Sequence, residues 1–407
     1  MKICKVRDGE YPWDVRVEKI CDSLVRAGHE VHLVCRNRRG DPIREIRDGI
    51  SIHRLPAYRG PWGGPLSFPV FCNPVWLAAI TRVVKEQRCD VVLVRDLPLA
   101  LAGIVVGRLT GCPVVIDLAE NYPAMLKDFW PINRRRPFNW IVRNPWMAAW
   151  VERATIRLAD HVVVVVQEAA DRLRGLGVEN RRLSVVMNTP LARRVLADAT
   201  AVNAEAANPC FDILYLGFLD HARGIEIAIR AMPAILARIA NARLVIIGTG
   251  DAEGDLRRLA REMGVDDRVC FTGWVSYDLA HEWIAACSVG IVPHDVTESW
   301  MTTIPNKLFD YMASAKPVLV SEAQPVRRIV TSEACGLVFR NRDVGDFAVQ
   351  VGRLADSNVR RLLGTRGRQA VLKQYNWGVD GQVLVQALEG LRLATSCREP
   401  RVEPRDA

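Results

Sequence analysis

Several common features are missing from this 407-residue sequence, and each absence excludes a class of protein. No apolar run approaches the roughly 18 residues of a membrane-spanning helix, and no signal-peptide pattern is present, so we expect no spanning segment. The eleven cysteines form no C-x-x-C pair. We therefore expect no metal site, and we interpret the cysteines as small core residues in a reducing cytosol.

The dinucleotide fingerprint G-x-G-x-x-G is also absent. The loop after the first apolar strand is RDGEYPWD, and the turn after the strand around Val245 is GTGDAEG, which has the wrong spacing. This argues against a nicotinamide-dependent dehydrogenase. No nucleic-acid-binding module is recognisable either, so we expect no nucleic acid partner.

Apolar strands alternate with helical segments along a chain that is too long for one core. Runs such as VVLV, VVVVV and LVII do not alternate with polar residues, which is typical of parallel strands buried on both faces. We predict an α/β protein with two Rossmann-like doubly wound parallel-sheet domains. The predicted segments are domains at 1–190 and 210–375, a linker at 191–209, a C-terminal helix at 376–395 and a disordered tail at 396–407.

The segment IPNKLFDYMASAKPVLVSE, which begins at Ile304, combines a helix start with a buried strand. Pro305 suits a first helical turn, and Thr302 or Thr303 can cap the exposed amides. Helical spacing places Lys307 and Asp310 together on the side facing away from the core. Amides and a cation suit a diphosphate, and a carboxylate suits a ribose diol. The alternative is a capped surface helix with a local Lys307–Asp310 pair.

This segment resembles the donor-site signature of the GT-B glycosyltransferases, specifically the retaining family 4 of the type that makes capsular and cell-envelope polysaccharides. In that signature two carboxylates, separated by seven residues, precede a small-residue turn and a Pro-Val strand. Asp310 stands at the second carboxylate, which binds the nucleotide ribose in the family. Thr302 stands at the first, and its hydroxyl cannot stabilise positive charge on an oxocarbenium-like centre as a carboxylate would.

Other parts of the second half follow the family's order. In FDILYLGFLDHARGIEIAIRAM, Arg223 matches the basic residue that contacts the donor diphosphate, whereas Phe218 stands where an arginine is common. Trp274 is either a packing side chain or a platform for the base. The donor-binding residues that the resemblance implies are Gly217, Arg223, Gly224, Gly273, Trp274, Val275, Thr302, Thr303, Asn306, Lys307 and Asp310.

The first half also resembles the family. Its first loop follows the first strand, where open α/β sheets place their ligands, and by resemblance Gly9 and Arg16 contact the diphosphate or the acceptor. DVVLVRDLPLALAG and PVVIDLAENYP resemble two strand-end motifs, but Ala119 replaces the family's histidine. We predict that nearby residues take over its acceptor-side role, while Glu120 has the alternative of capping the next segment. The catalytic candidates are Arg95, Asp96, Asp117 and Glu120.

The formal net charge of +9 is unevenly distributed. The segment from residue 124 to residue 157 contains seven basic and only two acidic residues, and tryptophans are interleaved with them. Such a mixture suits the surface of an anionic membrane. The alternative is a core of tryptophans beside a solvated row of arginines. The predicted membrane-contact residues are Trp130, Arg134, Arg135, Arg136 and Trp140.

The resemblance implies a GT-B fold with a cleft between the domains, donor binding in the second domain, and a last helix that crosses back to the first. We expect a metal-independent, retaining transfer of a sugar from a nucleoside-diphosphate-sugar to a hydroxyl of a lipid-linked or cell-envelope glycan. Its expected location is the cytoplasm, peripheral at the inner face of the membrane. Two alternatives remain: a non-catalytic partner subunit that binds a nucleotide sugar, and a nucleotide-sugar epimerase, against which Ala119 argues.

Overall fold

The structure, a computed structural model, describes residues 1–12, 14–57, 68, 70, 72–191 and 208–396. Nearly all of the predicted linker (191–209) and tail (396–407) lies outside these residues. The chain divides into two compact units, Met1–Met187 with Asp380–Ala407, and Asn188–Val379. Among the helices in the described ranges, none is both long and apolar enough to span a bilayer.

The first unit contains an eight-stranded sheet in the order β3-β4-β2-β1-β5-β6-β7-β8, in which β3 alone runs antiparallel to its neighbour. Its inner strands are almost wholly buried because their Val, Ile and Leu side chains are covered on both faces. The strands are β1 Lys2–Val6, β2 Glu30–Cys35, β3 Arg44–Arg47, β4 Ile50–Arg54, β5 Val91–Arg95, β6 Val114–Leu118, β7 His161–Val164 and β8 Leu183–Val185.

Helices of the first unit connect these strands. Asp14 caps the first of them by accepting bonds from the amides of Arg16 and Val17. The helices are α1 Val15–Arg26, α2 Pro74–Gln87, α3 Ala100–Thr110, α4 Tyr122–Asp128, α5 Trp130–Asn133, α6 Asn139–Val142, α7 Pro145–Leu158 and α8 Gln167–Gly175.

The second unit has a six-stranded, all-parallel sheet in the order β11-β10-β9-β12-β13-β14. Its strands are β9 Phe211–Leu216, β10 Ala242–Ile247, β11 Val269–Gly273, β12 Val289–Val292, β13 Val318–Val320 and β14 Gly336–Val338. The helices are α9 Ile225–Leu236, α10 Glu253–Glu262, α11 Tyr277–Ala286, α12 Lys307–Ala313, α13 Gln324–Ser332, α14 Val344–Arg353, α15 Ser357–Lys373 and α16 Trp377–Ser396.

Helix α16 begins in the second unit and belongs to the first from Asp380 onward. Within the first unit, the Asp380 carboxylate accepts a 2.9 Å hydrogen bond from the amide of Met187. The side chain of Glu389 lies 3.2 Å from the ring of His29. These contacts attach the end of the chain to the unit that contains its beginning.

The two sheets confirm the prediction of doubly wound parallel domains. In each sheet the first strand of the unit has neighbours on both sides, β2 and β5 around β1, and β10 and β12 around β9. The crossover direction reverses at these points, so the loops after the flanking strands diverge and leave a crevice at the carboxyl edge. Ligand-binding side chains are therefore expected after β1 and β5 in one unit and after β9 and β12 in the other.

Candidate functional site

A buried lysine lies at the carboxyl end of β9 in the second unit. The Nζ atom of Lys307 is 3.6 Å from the centre of the Tyr215 ring, and the residue is only 7% exposed. Among the described residues, Nζ has no hydrogen-bond partner. Burial and then the nearby Arg223 hold the pKa of Lys307 well below its usual range. A bound anion would remove this penalty.

Two glycines allow the loops to approach this lysine. Gly217 has φ 136°, and a Cβ there would lie 3.2 Å from the Lys307 Nζ. Gly224 has φ 64°, and a Cβ there would lie 2.1 Å from the carbonyl oxygen of Pro293. Both positions therefore favour glycine for their backbone conformation, and Gly224 also needs it for space.

Arg223 and His294 extend the cluster. The Arg223 guanidinium lies 4.8 Å from the centre of the Trp300 ring, and its Nε donates a 2.9 Å hydrogen bond to Asp220. The ring of His294 also packs against the ring of Trp300, and their centroids are 4.0 Å apart. Burial, Lys307 and Arg223 lower the pKa of His294, so this ring is neutral. Lys307 and Arg223 thus lie close together, and the one carboxylate beside them, that of Asp220, is already hydrogen-bonded to Arg223.

The start of α12 differs from its prediction. The helix begins at Lys307 with the exposed Asn306 at the N-cap position and no side-chain capping bond from it. Thr302 instead donates its hydroxyl to the carbonyl oxygens of Glu298 and Ser299, each at 3.4 Å. The N-cap residue of α12 is therefore Asn306 and not the predicted Thr302 or Thr303, because the helix starts several residues later.

The placement of Lys307 on an outward face is also wrong. The helix is packed so closely on β9, with the Tyr311 hydroxyl donating to the Leu214 carbonyl at 3.1 Å, that Lys307 is covered. A surface helix with an exposed Lys307–Asp310 pair is thereby excluded. Asp310 lies one turn further along α12 and is partly exposed.

The end of β11 carries three further donor candidates. Gly273 ends the strand with φ 70°, and Val275 is partly buried. Trp274 between them is 78% exposed, so it is not a packing side chain. In the sheet order, β11 is separated from β9 by β10. The structure therefore places Trp274 on the same edge as Lys307, two strands away.

In the first unit, Asp117 is the centre of a fully buried charge network at the end of β6. It accepts hydrogen bonds from Arg16 at 2.7 to 3.3 Å, and Lys5 and Arg95 each lie 3.5 Å from its Oδ2. Burial by itself would raise the pKa of Asp117, but Arg16, Lys5 and Arg95 hold it well below its usual range.

Arg16 is occupied inside the unit as well. Its Nη1 donates to the carbonyl oxygens of Val186 and Met187 at 3.0 and 3.3 Å, and the side chain is 1% exposed. A contact between Arg16 and a ligand would require this network to open. The network joins β1, α1, β5, β6 and the segment after β8, and it fixes the carboxyl edge of the sheet.

Asp96 has a backbone conformation that is rare for a residue with a side chain, with φ 57° and ψ 175°. Its Oδ1 accepts a 2.9 Å bond from the amide of Ala119, and its Oδ2 lies 3.2 Å from the Arg95 Nε. Asp96 therefore holds the loop at the position where the family has its histidine.

Glu120, which follows Ala119 in the sequence, is exposed. The cap of α4 is Asn121, which accepts a 3.3 Å bond from the amide of Ala124. The alternative that Glu120 caps this segment is wrong. Roles of Arg95, Asp96, Asp117 and Glu120 in catalysis stay predictions.

Gly9 lines a cavity of about 330 Å³ at the carboxyl edge of the first sheet, whereas Arg16 does not. The sequence reasoning missed several residues around both sites. A lysine within the strand KICKV and an arginine directly after β2 could have indicated two of them. No local sequence pattern indicated the aromatic residues near Lys307. The missed residues are Lys5, Arg7, Arg36, Tyr215, His294 and Trp300.

Both units match families of known proteins. Residues 14–189 match the glycosyl transferase 4-like domain, and residues 210–357 match the glycosyl transferases group 1 domain. The structure also superposes on a sucrose-phosphate synthase from Thermosynechococcus elongatus with a TM-score of 0.78 at 20% identity, covering 97% of this chain and 100% of that one. The chain consists of two glycosyltransferase domains in the GT-B fold. The predicted fold class is confirmed.

Other similarities extend over different lengths of this GT-B chain. It is 31% identical over 166 residues to an uncharacterized glycosyltransferase of Methanocaldococcus jannaschii, covering 40% of this chain and 41% of that protein. It is 26% identical to a D-inositol 3-phosphate glycosyltransferase of Acidothermus cellulolyticus, covering 89% and 82%. An Anabaena protein, HepE, solved with UDP and glucose, superposes with a TM-score of 0.68 at 14% identity, covering 96% and 99%.

The Asp117 network generates a stability prediction. Asp117→Asn leaves Arg16, Lys5 and Arg95 without their shared carboxylate, and removing one partner from a buried ion pair costs about 3 to 5 kcal/mol in the free energy of unfolding. Because the pKa of Asp117 is lowered on folding, the wild-type advantage should be full above the unfolded pKa and should shrink as the pH falls toward the folded pKa.

Urea unfolding followed by circular dichroism measures this difference. Asp22→Asn is the control, since its 2.9 Å pair with Arg26 is exposed and should contribute less than about 1 kcal/mol. Equal losses in the two variants, or a pH-independent difference for Asp117→Asn, would contradict the network's role.

Proposed function

We propose that this protein is a retaining glycosyltransferase of family 4 that moves a sugar from a nucleoside-diphosphate-sugar to an acceptor hydroxyl. The observation that carries this proposal is the buried, unpartnered Lys307 ammonium beside Arg223 at the carboxyl end of β9. Two cations in a desolvated setting suit a diphosphate. The similarity to a GT-B structure that holds UDP and glucose supports the same ligand class.

The donor would be held by residues that lie on one edge of the second sheet. Arg223 and Lys307 contact the diphosphate, and Asp310 accepts hydrogen bonds from the ribose hydroxyls. Trp274 offers an exposed ring on which a base can stack. None of these contacts requires a cofactor.

The chemistry follows from the charge that develops on the leaving group. As the bond between the sugar and the diphosphate breaks, negative charge grows on the diphosphate oxygen, and Arg223 and Lys307 offset it. A metal ion is then not needed for this task. The departing oxygen can accept the proton of an acceptor hydroxyl that attacks on the same face, so the configuration of the sugar is retained.

One alternative keeps donor binding without transfer. Ala119 has no side chain that could reach a reacting sugar, and the Thr302 hydroxyl is directed to main-chain carbonyls. A non-catalytic partner subunit would have these properties. Incubation with radiolabelled UDP- and GDP-sugars and lipid extracts separates the two, since an enzyme labels the extract and a binding subunit does not.

We place the acceptor at an anionic membrane because of the Trp/Arg surface, defined as Trp130, Arg134–Arg136, Trp140, Trp146 and Trp150. Three of its tryptophans, Trp140, Trp146 and Trp150, are 54%, 66% and 67% exposed, so a tryptophan core is wrong for them. Trp130 packs edge-on against Trp140 and Trp146, at 5.1 and 5.6 Å between centroids.

The three arginines of this surface are also exposed. Exposed indoles beside clustered guanidiniums suit lipid headgroups, where each cation adds about 1 kcal/mol of attraction. We therefore propose a peripheral protein at the cytoplasmic face of the membrane that acts in the synthesis of a lipid-linked or cell-envelope glycan.

The first prediction for this function concerns the donor contacts. Asp310→Ala and Arg223→Ala should each weaken binding of the correct nucleoside diphosphate by about tenfold or more, since each removes a charge-assisted hydrogen bond of about 1.5 to 3 kcal/mol. Calorimetry with UDP and GDP makes the measurement. Arg258→Ala is the control, because this exposed arginine pairs with Asp255 on α10 and should leave the affinity unchanged. Unchanged affinity in both test variants would place the donor elsewhere.

The second prediction concerns the proton on Lys307. The pKa of the free lysine is lowered, and a diphosphate would raise it, so between these two pKa values binding takes up a proton. Donor affinity should therefore fall as the pH rises through that window. Calorimetry at mildly alkaline pH, in buffers of different ionisation enthalpy, should show proton uptake for wild type and none for Lys307→Met.

His294→Asn is the control for this measurement. His294 is neutral in the same pH range, so its replacement should leave the proton uptake in place. Full proton uptake in Lys307→Met would assign the proton to another group and would argue against Lys307 as a donor contact.

The third prediction concerns the Trp/Arg surface. Sedimentation with liposomes should be strong for anionic lipid and weak for neutral lipid. It should also decrease with salt, since the Debye length falls from about 10 Å at 0.1 M to about 3 Å at 1 M. Changing Arg134, Arg135 and Arg136 together to Glu should abolish it.

Arg257, Arg258 and Arg261 on α10, changed together to Glu, give a control with the same change in net charge on another exposed helix. Loss of liposome binding in both triple variants would mean that net charge alone is sensed. Binding that ignores lipid charge and both triple changes would contradict a docking role for this surface.

A further inference from the structure

The cavity of about 330 Å³ in the first unit is built where four parallel strands end. Arg7 directly follows β1, Arg36 directly follows β2, Leu97 follows β5, and Tyr122 begins α4 after β6. Because parallel strands end at one edge of a sheet, these loops converge on the crevice where open α/β sheets bind ligands. No part of the donor cluster belongs to this unit.

Positive charge dominates the lining of this cavity. Four arginines, Arg7, Arg36, Arg38 and Arg143, line it with Asp8 and Glu10. Glu10 is engaged elsewhere, because its Oε1 accepts from the amides of Arg38 and Arg39 at 2.8 and 3.1 Å. Asp8 lies 3.6 Å from the Arg7 Nη1. The same Nη1 atom lies 2.6 Å from the carboxylate of Asp14. Even with these three carboxylates counted, the four arginines leave an excess of guanidinium charge in the cavity.

Two of the arginines are covered to different degrees, since Arg36 is buried and the side chain of Arg7 is 20% exposed. Arg36 is 4% exposed, and its guanidinium carbon is 5.8 Å from the centre of the Phe68 ring. Burial and then Arg38 lower the pKa of Arg36. The Arg7 Nε is buried without a hydrogen-bond partner in the described part of the chain. Gly9 leaves room for it, since a Cβ there would lie 2.9 Å from the Arg7 Nη2.

Part of the lining is apolar and comes from α4, α6 and α7, of which α6 and α7 also carry tryptophans of the Trp/Arg surface. Leu126 from α4, Val142 from α6 and Ala148 from α7 form it. Tyr122 adds a hydrogen-bond donor to the lining, since burial raises the pKa of Tyr122 to about 12 and its hydroxyl keeps its proton. The lining thus combines groups that suit an oxyanion with apolar groups that suit hydrocarbon or the face of a sugar ring.

We propose that this cavity binds the phosphate group of a phosphorylated acceptor, with Arg36 and Arg143 as its main contacts and Arg7 and Tyr122 as supporting donors. Guanidinium forks match phosphate oxygens in pairs, and the low exposure of Arg36 strengthens the attraction. The proposal rests on the proposed function and specifies its acceptor. The phosphate can belong to a lipid diphosphate or to a soluble sugar phosphate, which share this chemistry.

Calorimetry on the full chain without donor tests the proposal, with farnesyl diphosphate, glucose 6-phosphate and inorganic diphosphate as probes. At least one should bind, and Arg36→Gln and Arg143→Gln should each weaken it by about tenfold or more. Arg143 is exposed, so its replacement should leave the fold intact. Arg108→Gln, an exposed arginine in the last turn of α3 at the opposite edge of the sheet, should change nothing.

The two sources of phosphate are separated by comparing the probes. Tighter binding of farnesyl diphosphate assigns a lipid acceptor, and tighter binding of glucose 6-phosphate assigns a soluble one. Arg223→Ala provides the comparison with the donor site. Probe binding that Arg223→Ala removes and Arg143→Gln leaves intact would overturn the proposal, since the phosphate would then occupy the donor site.

Failure of this proposal is distinguishable from failure of the proposed function. If none of the three probes binds while UDP or GDP binds and sugar transfer occurs, the acceptor proposal falls and the enzyme remains. If the probes bind as expected but no nucleoside diphosphate does, the donor assignment falls instead.

Discussion

The first unit depends on the ion pairs that surround the carboxylate of Asp117. This carboxylate is fully buried at the end of β6, and Arg16, Lys5 and Arg95 all approach it from other elements. A buried carboxylate without such partners would be protonated or would destabilise the fold. With them it fixes the relative positions of β1, α1, β5 and β6. The loops that form the arginine-lined cavity follow three of these elements, so the shape of the cavity depends on this network.

The second unit places its charges differently. Lys307 has a packed stem and an ammonium group over the Tyr215 ring, with no hydrogen-bond partner in the described part of the chain. In the first unit, the charges around Asp117 lie within ion-pair distance of one shared carboxylate, which is a structural arrangement. In the second, positive charge is buried without an equal negative charge, which is a costly arrangement unless an anion binds. Because of this contrast we propose a positioning role for Arg16 and a ligand-binding role for Lys307 and Arg223, while a catalytic role of Asp117 stays a prediction.

Asp96 combines a strained backbone with a hydrogen bond to the neighbouring loop. Its strained backbone and its bond to the Ala119 amide hold the loop at the position where the family resemblance led us to expect a histidine. The loop geometry at Ala119 is therefore supported by Asp96. This makes Asp96, at the same edge of the sheet as the cavity, the most informative of the four catalytic candidates.

The sequence by itself determined the fold class, because short, unbroken Val, Ile and Leu runs that alternate with helical segments are typical of parallel strands buried on both faces. It also determined which loops carry the sites, since the carboxyl ends of strands can be located from the order of strands and helices. Local pattern could not decide burial. Lys307 was expected to face outward by helical spacing, yet close packing of α12 on β9 covers it, and Arg16 was expected to contact a ligand, yet Asp117, 101 residues later, binds it. Burial was also undecided for Trp140, Trp146 and Trp150, because tryptophans between basic residues fit a core or a surface equally well, and the structure exposes all three. Burial and charge pairing depend on contacts between residues far apart in the chain, and only the tertiary structure brings those residues together.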